Sequence, residues 1–409
     1  MEKGNEMKIV VPTLRFSEFQ GMDGWEKIRI KDFGEVITGN TPSKNEETYW
    51  NGDFVWITAQ DFSGKYIYDS ISKLTQFGKD KSKIIPPNSV LVTCIASIGL
   101  NAINKIECST NQQINSICCN QKYYNEYVYY TIAYNINRLK QLAGQTAVPI
   151  ITKKIFEDFE IYAIKNYDEQ QKIADCFSSL DELIEATAQK VEVLKEYKKG
   201  LMQRLFPAEG KNVPDSRFPE FQGMKEWKKT YIYEECPNTY SGGTPKTTEK
   251  KYYGGDIPFI RSAEIGKDKT ELSITQEGLN NSSAKMIQKG DLLIALYGAN
   301  SGDIAISKID GAINQAIMCL KAKSNNLFIY YALLKKQKNV VSKYLQGGQG
   351  NLSGEIIKSI DFYIPQGIEQ QKIAECLSSL DELIEATSRK VEILKEHKKG
   401  LMQQLFPKI

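Results

Sequence analysis

The sequence predicts an α+β protein in which two globular domains alternate with two long helices, and in which these helices pair as an antiparallel coiled coil. Two internal repeats and one regular spacing of apolar residues support this prediction. The chain has 409 residues, so it is long enough for two or more domains with cores of their own. Because the segments of one half have counterparts in the other, we expect the halves to be related by a pseudo-two-fold axis.

The stronger repeat predicts the two long helices. Residues 169–207 read EQQKIADCFSSLDELIEATAQKVEVLKEYKKGLMQRLFP, and residues 369–407 differ from them at seven of 39 positions. Apolar residues return in steps of four and three along both segments, which is the pattern of a coiled-coil seam. Asp168 is the predicted N-cap of the first helix, and Pro207 marks its end. The expected seam residues are Ile173, Phe177, Leu180, Ile184, Val191, Leu194, Leu201, Leu205, Ile373, Leu377, Leu380, Ile384, Val391, Leu394, Leu401 and Leu405.

The weaker repeat predicts the two globular domains, which we name the first and second heads. The pattern V-P-x-x-R-F-x-E-F-Q-G-M occurs at residues 11–22 and again at residues 213–224, each time followed by a tryptophan. Short apolar runs after turn residues predict strands, and residues 123–139 and 327–345 predict helices. We therefore expect α+β heads without a parallel βαβ sheet. The predicted boundaries are a tail at 1–10, the first head at 11–164, the first long helix at 165–207, a linker at 208–212, the second head at 213–366 and the second long helix at 367–409.

Composition argues against several classes of enzyme and against a membrane protein. The single histidine, His397, leaves little room for Ser-His-Asp catalysis or histidine-rich zinc sites, and its counterpart in the repeat is Tyr197. The sequence has no phosphate-binding G-x-x-x-x-G-K-[ST] loop, and its eight cysteines form no C-x-x-C pair. No apolar run approaches the ~18 residues that a membrane span needs. We expect a cytoplasmic protein with no catalytic residues, no metal ligands and no membrane partner.

The two heads differ far more than the two helices, which is typical of a protein that recognises two different short targets across a rigid spacer. The net charge is only +3, so composition alone does not indicate a nucleic-acid binder. The first head holds 16 basic and 16 acidic residues, and the second holds 20 basic and 16 acidic residues. These charges leave open a scaffold that joins two protein-binding heads.

The alternation of variable and near-identical regions, the E-Q-Q-K-I-A opening at Glu169 and Glu369, and the Gly-x-Thr-Pro loops resemble the specificity subunit of type I restriction-modification systems. The resemblance covers residues 11–407. It implies that each head is a target recognition domain that reads one half of a bipartite double-stranded DNA site, while the helices set the spacer. It also implies that two adenine methyltransferase subunits and motor-nuclease subunits bind this chain. S-adenosylmethionine, ATP and Mg²⁺ would then bind the partners, and this chain would hold no cofactor. The specificity subunit of another restriction class would look similar.

Two pairs of loops supply the candidate DNA contacts. The Gly-x-Thr-Pro loops, at residues 38–44 and 241–246, combine donor side chains with glycine, which permits a close backbone approach. The loops at residues 144–154 and 347–354 are also polar and glycine-bearing. An ordinary solvated turn is the alternative for both pairs. The candidate DNA-binding residues are Thr41, Ser43, Lys44, Thr146, Lys153, Lys154, Thr244, Lys246, Gln349, Asn351 and Ser353.

The Asn-Gln pairs at residues 111–112 and 314–315 also occupy matched positions in the two heads. Amide side chains of this kind can bind adenine through two hydrogen bonds. Their repetition in both heads instead favours a structural role.

Overall fold

A computed structural model shows the fold. It describes residues 10–143, 148–344 and 352–408, without the side chains of residues 338–344. The chain divides into two compact units, of which the first comprises Met1–Thr187 and Arg389–Ile409 and the second comprises Ala188–Ser388. Each unit therefore holds one head, the beginning of one long helix and the end of the other.

The first head consists of mixed β-sheets and short helices. Its strands are β1 (Glu26–Arg29), β2 (Gly34–Thr38), β3 (Trp50–Ile57), β4 (Tyr66–Ile67), β5 (Ser72–Leu74), β6 (Ile84–Ile85), β7 (Val90–Thr93), β8 (Asn101–Asn104), β9 (Cys108–Thr110), β10 (Ile114–Cys119) and β11 (Glu160–Ala163). Its helices are α1 (Gln76–Lys79), α2 (Asn125–Gln141) and α3 (Lys153–Glu157). The larger sheet has the order β2-β10-β7-β8-β4 and the smaller one β5-β3-β9-β6. Most neighbours are antiparallel, but β3 pairs with β9 and β4 with β8 in parallel.

The second head repeats this topology. After the first long helix, α4 (Tyr167–Leu205), its strands are β12 (Lys228–Tyr231), β13 (Asn238–Ser241), β14 (Tyr253–Ile260), β15 (Leu272–Ile274), β16 (Lys285–Ile287), β17 (Leu292–Ala295), β18 (Ile304–Ile306), β19 (Gly311–Ile313), β20 (Ile317–Lys321) and β21 (Asp361–Ile364). Its helices are α5 (Ile232–Glu235), α6 (Gln276–Asn280), α7 (Asn326–Tyr344) and α8 (Gly354–Lys358). The order β13-β20-β17-β18 matches β2-β10-β7-β8, and β15-β14-β19-β16 matches β5-β3-β9-β6. The weak sequence repeat thus corresponds to one shared topology.

The core of each head includes its longest internal helix. In the first head, Tyr127 and Tyr130 of α2 are fully buried, and the backbone N–H of Ile164 donates to the Tyr127 hydroxyl over 3.0 Å. In the second head, Phe328 and Tyr331 of α7 are buried in the same way. Tyr127 and Tyr130 are therefore core residues, not an exposed surface on which bases stack.

The long helix α4 begins two residues earlier than an Asp168 cap would require. The side-chain oxygen of Asn166 accepts a hydrogen bond from the backbone N–H of Glu169 over 2.9 Å, which makes Asn166 the N-cap. The prediction of Asp168 as the cap was wrong. Asp168 lies in the first turn, where its negative charge interacts favourably with the helix dipole.

Within the first unit, α4 runs antiparallel to the second long helix, α9 (Gly367–Leu405), as predicted. Asp181 of α4 lies 2.5 Å from the Lys398 ammonium of α9. The rings of Phe177 and Phe406 are 5.9 Å apart. Residues later in α4 therefore contact residues earlier in α9, as they do in an antiparallel pair.

The second unit shows the same direction of pairing. Lys198 of α4 lies 2.5 Å from Asp381 of α9, while Leu205 shares a core cluster with Leu377.

All sixteen predicted seam residues are buried or half-buried. Burial along one side of each helix is the main source of stability for helices of this length.

The residue after each long helix fills the core of a head. Phe406 follows α9 and lies 5.4 Å from the Trp25 ring in the first unit. Phe206 follows α4 and lies 6.1 Å from the Trp227 ring and 5.4 Å from Phe328 in the second unit. Each core therefore requires a residue from the end of a long helix.

Both sequence repeats contribute to a buried ion pair. Arg15, from the V-P-x-x-R-F motif, donates two hydrogen bonds of 2.8 and 2.7 Å to Glu169, from the E-Q-Q-K-I-A motif. Arg217 and Glu369 form the equivalent pair in the second unit, with bonds of 2.8 and 2.5 Å. The two side chains of each pair are at most 8% exposed. These motifs therefore fix the start of each head to the start of a long helix.

Candidate nucleic-acid interface

Four segments of the first head meet at one end of its sheets. They are the Gly-x-Thr-Pro loop, the turn between β9 and β10, the hairpin between β7 and β8, and the segment before α3. The backbone N–H of Asn40 donates to the Thr110 carbonyl over 2.9 Å. The Cys94 N–H donates to the Gln113 carbonyl over 2.7 Å, and the Cys94 carbonyl accepts from the Ile151 N–H over 2.8 Å. We name the four segments of each head its loop cluster.

The second head has the same loop cluster. The Leu296 N–H donates to the Ala316 carbonyl over 2.8 Å, and the Leu352 N–H donates to the Leu296 carbonyl over 2.9 Å. The Tyr297 hydroxyl adds a bond of 2.5 Å to the Gln315 carbonyl. The described parts of both loop pairs proposed from the sequence therefore lie in one cluster in each head.

The glycine that opens each Gly-x-Thr-Pro loop packs against a neighbouring strand. A Cβ atom on Gly39 would lie 2.2 Å from the Thr110 carbonyl oxygen, and one on Gly242 would lie 1.7 Å from that of Ile313. These two glycines therefore allow the loop to pack closely against the protein's own backbone, where no residue with a side chain would fit.

The threonine of each loop is bonded to the glutamine of the matched Asn-Gln pair. The Thr41 hydroxyl donates to the Gln112 side-chain oxygen over 2.5 Å, and the Thr244 hydroxyl donates to that of Gln315 over 2.7 Å. Both glutamines are exposed. The structure thus joins two features that are 71 residues apart in each head.

An aromatic residue at the start of the following strand holds each loop from the other side. The Trp50 indole N–H donates to the Ser43 carbonyl over 3.0 Å, and the Tyr253 hydroxyl donates to the Pro245 carbonyl over 2.7 Å. In the first head, the Asn40 side chain also donates to the Lys81 carbonyl over 2.8 Å. The loops are therefore anchored at several points.

The other predicted DNA-binding residues have varied surroundings. Ser43, Lys44 and Lys246 are exposed in the Gly-x-Thr-Pro loops, and Lys153 pairs with Glu157 over 3.4 Å at the start of α3. The Ser353 hydroxyl oxygen accepts a hydrogen bond from the Ile356 N–H over 3.2 Å and so caps α8. Lys154 is an exposed residue of α3. Thr146, Gln349 and Asn351 lie outside the described residues.

Sequence reasoning missed the hairpin tips, which carry no polar motif. Ala96 is exposed with a φ of 60°, and its N–H donates to the Pro149 carbonyl over 3.1 Å. Its counterpart Gly298 has a φ of 88°. Left-handed backbone at a non-glycine residue is uncommon and is held here by the neighbouring segment. The matched positive φ is visible only in the structure.

Exposed lysines surround the loop clusters. Lys44, Lys81, Lys246 and Lys285 are exposed, and none of them has a carboxylate partner in the part of the chain that the structure describes. The Lys83 ammonium donates to the Thr38 carbonyl at the start of the loop over 3.0 Å. Lysines without a carboxylate partner on an exposed loop surface suit an anionic partner such as the DNA backbone.

The described ranges contain no group of acidic, histidine or cysteine side chains arranged to hold a metal ion. Across the same ranges, no helix has the length and apolar character needed to cross a membrane.

Two heads of one topology, each attached to paired long helices and each ending in the same loop cluster, define a duplicated, two-headed binding protein. The chain matches the type I restriction modification DNA specificity domain over residues 22–196 and again over residues 224–396. It therefore belongs to this family and carries two copies of the domain. The resemblance noted in the sequence is confirmed.

Curated relatives agree with this assignment, and two solved structures share the fold. The chain is 26% identical over 416 residues to the type I restriction enzyme MjaVIII specificity subunit of Methanocaldococcus jannaschii, covering 96% of this chain and 95% of that protein. It is 26% identical over 400 residues to the MjaIX specificity subunit of the same organism, covering 93% and 92%. The crystal structure of the S subunit of a type I restriction-modification system from M. genitalium has a TM-score of 0.66 at 18% identity, covering 98% of this chain and 100% of that one. A second structure, solved to explain complex assembly and conformational transition of the type I system, has a TM-score of 0.56 at 17% identity, covering 93% and 96%.

Proposed function

We propose that this chain recognises a bipartite double-stranded DNA site, with one half read by the loop cluster of each head and the spacer set by the paired long helices. The loop cluster carries this proposal, because the backbone bonds that join Cys94 to its neighbouring segments in the first head match those of Leu296 in the second. Its tips carry different side chains. Loops that are held in the same way but carry different exposed side chains suit two half-sites of different sequence. Contacts to the DNA backbone position a protein on the duplex, and contacts to the bases specify the sequence.

The differences lie at the most exposed positions of the cluster. Residues 43–46 read Ser-Lys-Asn-Glu, whereas the matched residues 246–249 read Lys-Thr-Thr-Glu. The hairpin tips read Ile-Ala-Ser at 95–97 and Tyr-Gly-Ala at 297–299. Each head therefore presents its own set of donors, acceptors and apolar groups to a groove.

We further propose that the long helices bind two adenine methyltransferase subunits and that motor-nuclease subunits join this core. S-adenosylmethionine, ATP and Mg²⁺ would bind those partners, and this chain would contribute no catalytic group. Exposed apolar residues support the proposal. Leu183 and Val193 of α4 are 43% and 68% exposed, and their counterparts Leu383 and Ile393 of α9 are 43% and 67% exposed. Equivalent apolar positions on both helices suit two copies of one partner.

The test is to express the chain with its methyltransferase partner and to map N6-methyladenine across a host genome by long-read sequencing. We expect one split motif with a methylated adenine in each half. Replacing residues 11–164 with the first head of another family member is expected to change one half of the motif and to leave the other half and the spacer intact.

A complex that assembles and binds S-adenosylmethionine, but methylates no motif and binds no duplex DNA, would contradict the proposal. The scaffold that joins two protein-binding heads would then be the better explanation. A head exchange that changed both halves of the motif would exclude independent reading by the two heads.

A further inference from the structure

We infer that Gln112 and Gln315 contact the DNA backbone at equivalent points of the two half-sites, with each amide aimed by the threonine of its Gly-x-Thr-Pro loop. The inference rests on the proposed function. It goes beyond that function by naming residues that bind what the half-sites share, as distinct from residues that read their sequence.

The two glutamine amides have the same orientation. The Thr41 hydroxyl donates to the Gln112 side-chain oxygen, and the Thr244 hydroxyl donates to that of Gln315. The oxygen of each amide is therefore engaged, and the NH₂ group is the free end. Neither NH₂ group has an acceptor in the part of the chain that the structure describes. Each exposed NH₂ group is available to donate to an external acceptor.

A side-chain hydrogen bond holds the turn that carries each glutamine. The side-chain oxygen of Asn111 accepts from the Gln113 N–H over 3.1 Å, and that of Asn314 accepts from the Ala316 N–H over 3.1 Å. The asparagine of each Asn-Gln pair therefore has a structural role, as the repetition suggested. The glutamine has no such bond to the turn, so it is presented on a fixed backbone at low entropic cost.

The matched residues of the two heads favour the DNA backbone, not the bases, as the partner of each glutamine. The Thr-Gln pair is the same in both heads, while the residues around it differ, as Gln113 and Ala316 do. A side chain that is the same in two otherwise different heads suits binding to a feature that both half-sites possess. Phosphate oxygens are such a feature, and glutamine amides are ordinary donors to them. Exposed lysines around the same loops provide the matching charge.

The hydrogen bond between threonine and glutamine is not needed to hold the loop in place. Each loop is already held by the packing of Gly39 or Gly242 and by the bond from Trp50 or Tyr253. An additional hydrogen bond on an exposed surface adds little to stability, because water competes for both groups. Its presence in both heads is better explained by the orientation that it imposes on the amide.

The experiment measures the affinity of the complete complex with its methyltransferase partner for two short duplexes. One duplex carries the motif found by methylation mapping, and the other carries one changed base pair in one half-site. Gln112→Ala and Gln315→Ala are each expected to weaken binding about 3- to 10-fold, by the same factor on both duplexes. Gln112→Glu is expected to weaken it further, because a carboxylate would face a phosphate. The methylated motif stays unchanged.

Gln121→Ala is the matched control, because this exposed glutamine follows the far end of β10. It is expected to leave affinity unchanged. Equal melting temperatures of the variants and the parent complex would show that folding is intact.

If both glutamine variants bound DNA as tightly as the wild-type complex, the inference would be overturned and the proposed function would stand. A loss of discrimination at one base position would also overturn it, because the glutamine would then be a base reader. A wild-type complex that binds no DNA would defeat the proposed function and the inference together.

Discussion

Arg15 and Glu169 show how much of this fold depends on single side chains. The guanidinium donates two bonds to the carboxylate and two more, of 2.9 and 2.8 Å, to the carbonyls of Met22 and Asp23. A buried charge of this kind is tolerated only because its partners satisfy it. The same arrangement at Arg217 and Glu369 explains why these motifs persist in both halves of a diverged chain.

Glu169→Gln is expected to destabilise the first unit by about 3–5 kcal/mol, because it leaves the Arg15 charge buried without a counter-charge. Unfolding in urea, followed by tryptophan fluorescence, measures the loss. Glu182→Gln, at an exposed position of the same helix, is the control and should change stability by less than about 0.5 kcal/mol. Equal losses in the two variants would show that the ion pair does not stabilise the unit.

Glu126 provides a prediction for pH. Burial tends to raise its pKa, but the hydrogen bonds from Lys65 at 2.6 Å and Tyr66 at 2.5 Å outweigh burial, and the pKa of the Glu126 carboxyl lies below its ordinary value of 4.5. A folded-state pKa below the unfolded one stabilises the fold above the unfolded pKa, and this stabilisation is lost as pH falls through the folded pKa.

Glu126→Gln is therefore expected to be less stable than the parent protein at neutral pH. The difference in unfolding free energy should shrink as the pH falls from about 4.5 through the folded-state pKa, because the unfolded chain takes up the proton first and the folded protein then loses the charge as well. Denaturation curves over a pH series provide the measurement. A difference that does not vary with pH would contradict the assignment, and Glu185→Gln, at an exposed position, is the control.

At the scale of elements, a matched junction of three side chains joins each head to the long helices. In the second unit, Asp381 accepts from the Tyr331 hydroxyl of α7 over 2.7 Å and from Lys198 of α4 over 2.5 Å. In the first unit, Asp181 accepts from Tyr130 and Lys398 over 2.8 and 2.5 Å. Burial raises the pKa of Tyr331, so its hydroxyl remains a neutral donor. The junction sets the helix register and the attachment of the head together.

Tyr331→Phe is expected to cost about 1.5–3 kcal/mol, the usual range for a hydrogen bond to a charged group. Tyr330→Phe alters the neighbouring residue and is expected to cost little, since no bond to its hydroxyl is found in the described structure. Thermal unfolding of the two variants measures the difference. If both variants unfolded at the same temperature, the junction would have no energetic role.

At the scale of the whole molecule, the chain closes each head with the end of a long helix. Phe406 completes the core around Trp25, and Phe206 completes the core around Trp227. A head cut from the chain without the matching helix end would have a gap in its core. The duplicated heads are therefore not independent segments of sequence, although each forms a compact unit.

Phe406→Ala is expected to destabilise the first unit by about 3–5 kcal/mol, and Phe206→Ala the second by a similar amount. Hydrogen exchange resolved by peptide should show faster exchange around Trp25 in the first variant and around Trp227 in the second. Phe406→Leu keeps most of the apolar contact and should have a smaller effect. If either single variant accelerated hydrogen exchange equally in both units, the two cores would not depend on separate helix ends.

The sequence alone determined the duplication, the long helices, the antiparallel pairing and the family. The duplication, the helices and their pairing follow from repeats and from apolar spacing, which records which side of a helix is buried. The family follows from the alternation of regions and from the E-Q-Q-K-I-A and Gly-x-Thr-Pro motifs. Local signals were less decisive at helix ends, where Asn166 and Asp168 are both good caps and only the hydrogen bond to Glu169 distinguishes them. The predicted domain boundaries and DNA contacts stay predictions.

Only the tertiary structure decided which distant residues meet. Thr41 and Gln112 are both recognisable in the sequence, yet nothing in either motif indicates that one orients the other. The same is true of Arg15 and Glu169, which are separated by 154 positions. Periodicity reports whether a residue is buried, but the partner of a buried or bonded group is set by strand register and by packing between elements. Those are properties of the whole fold, so they appear only when the chain is folded.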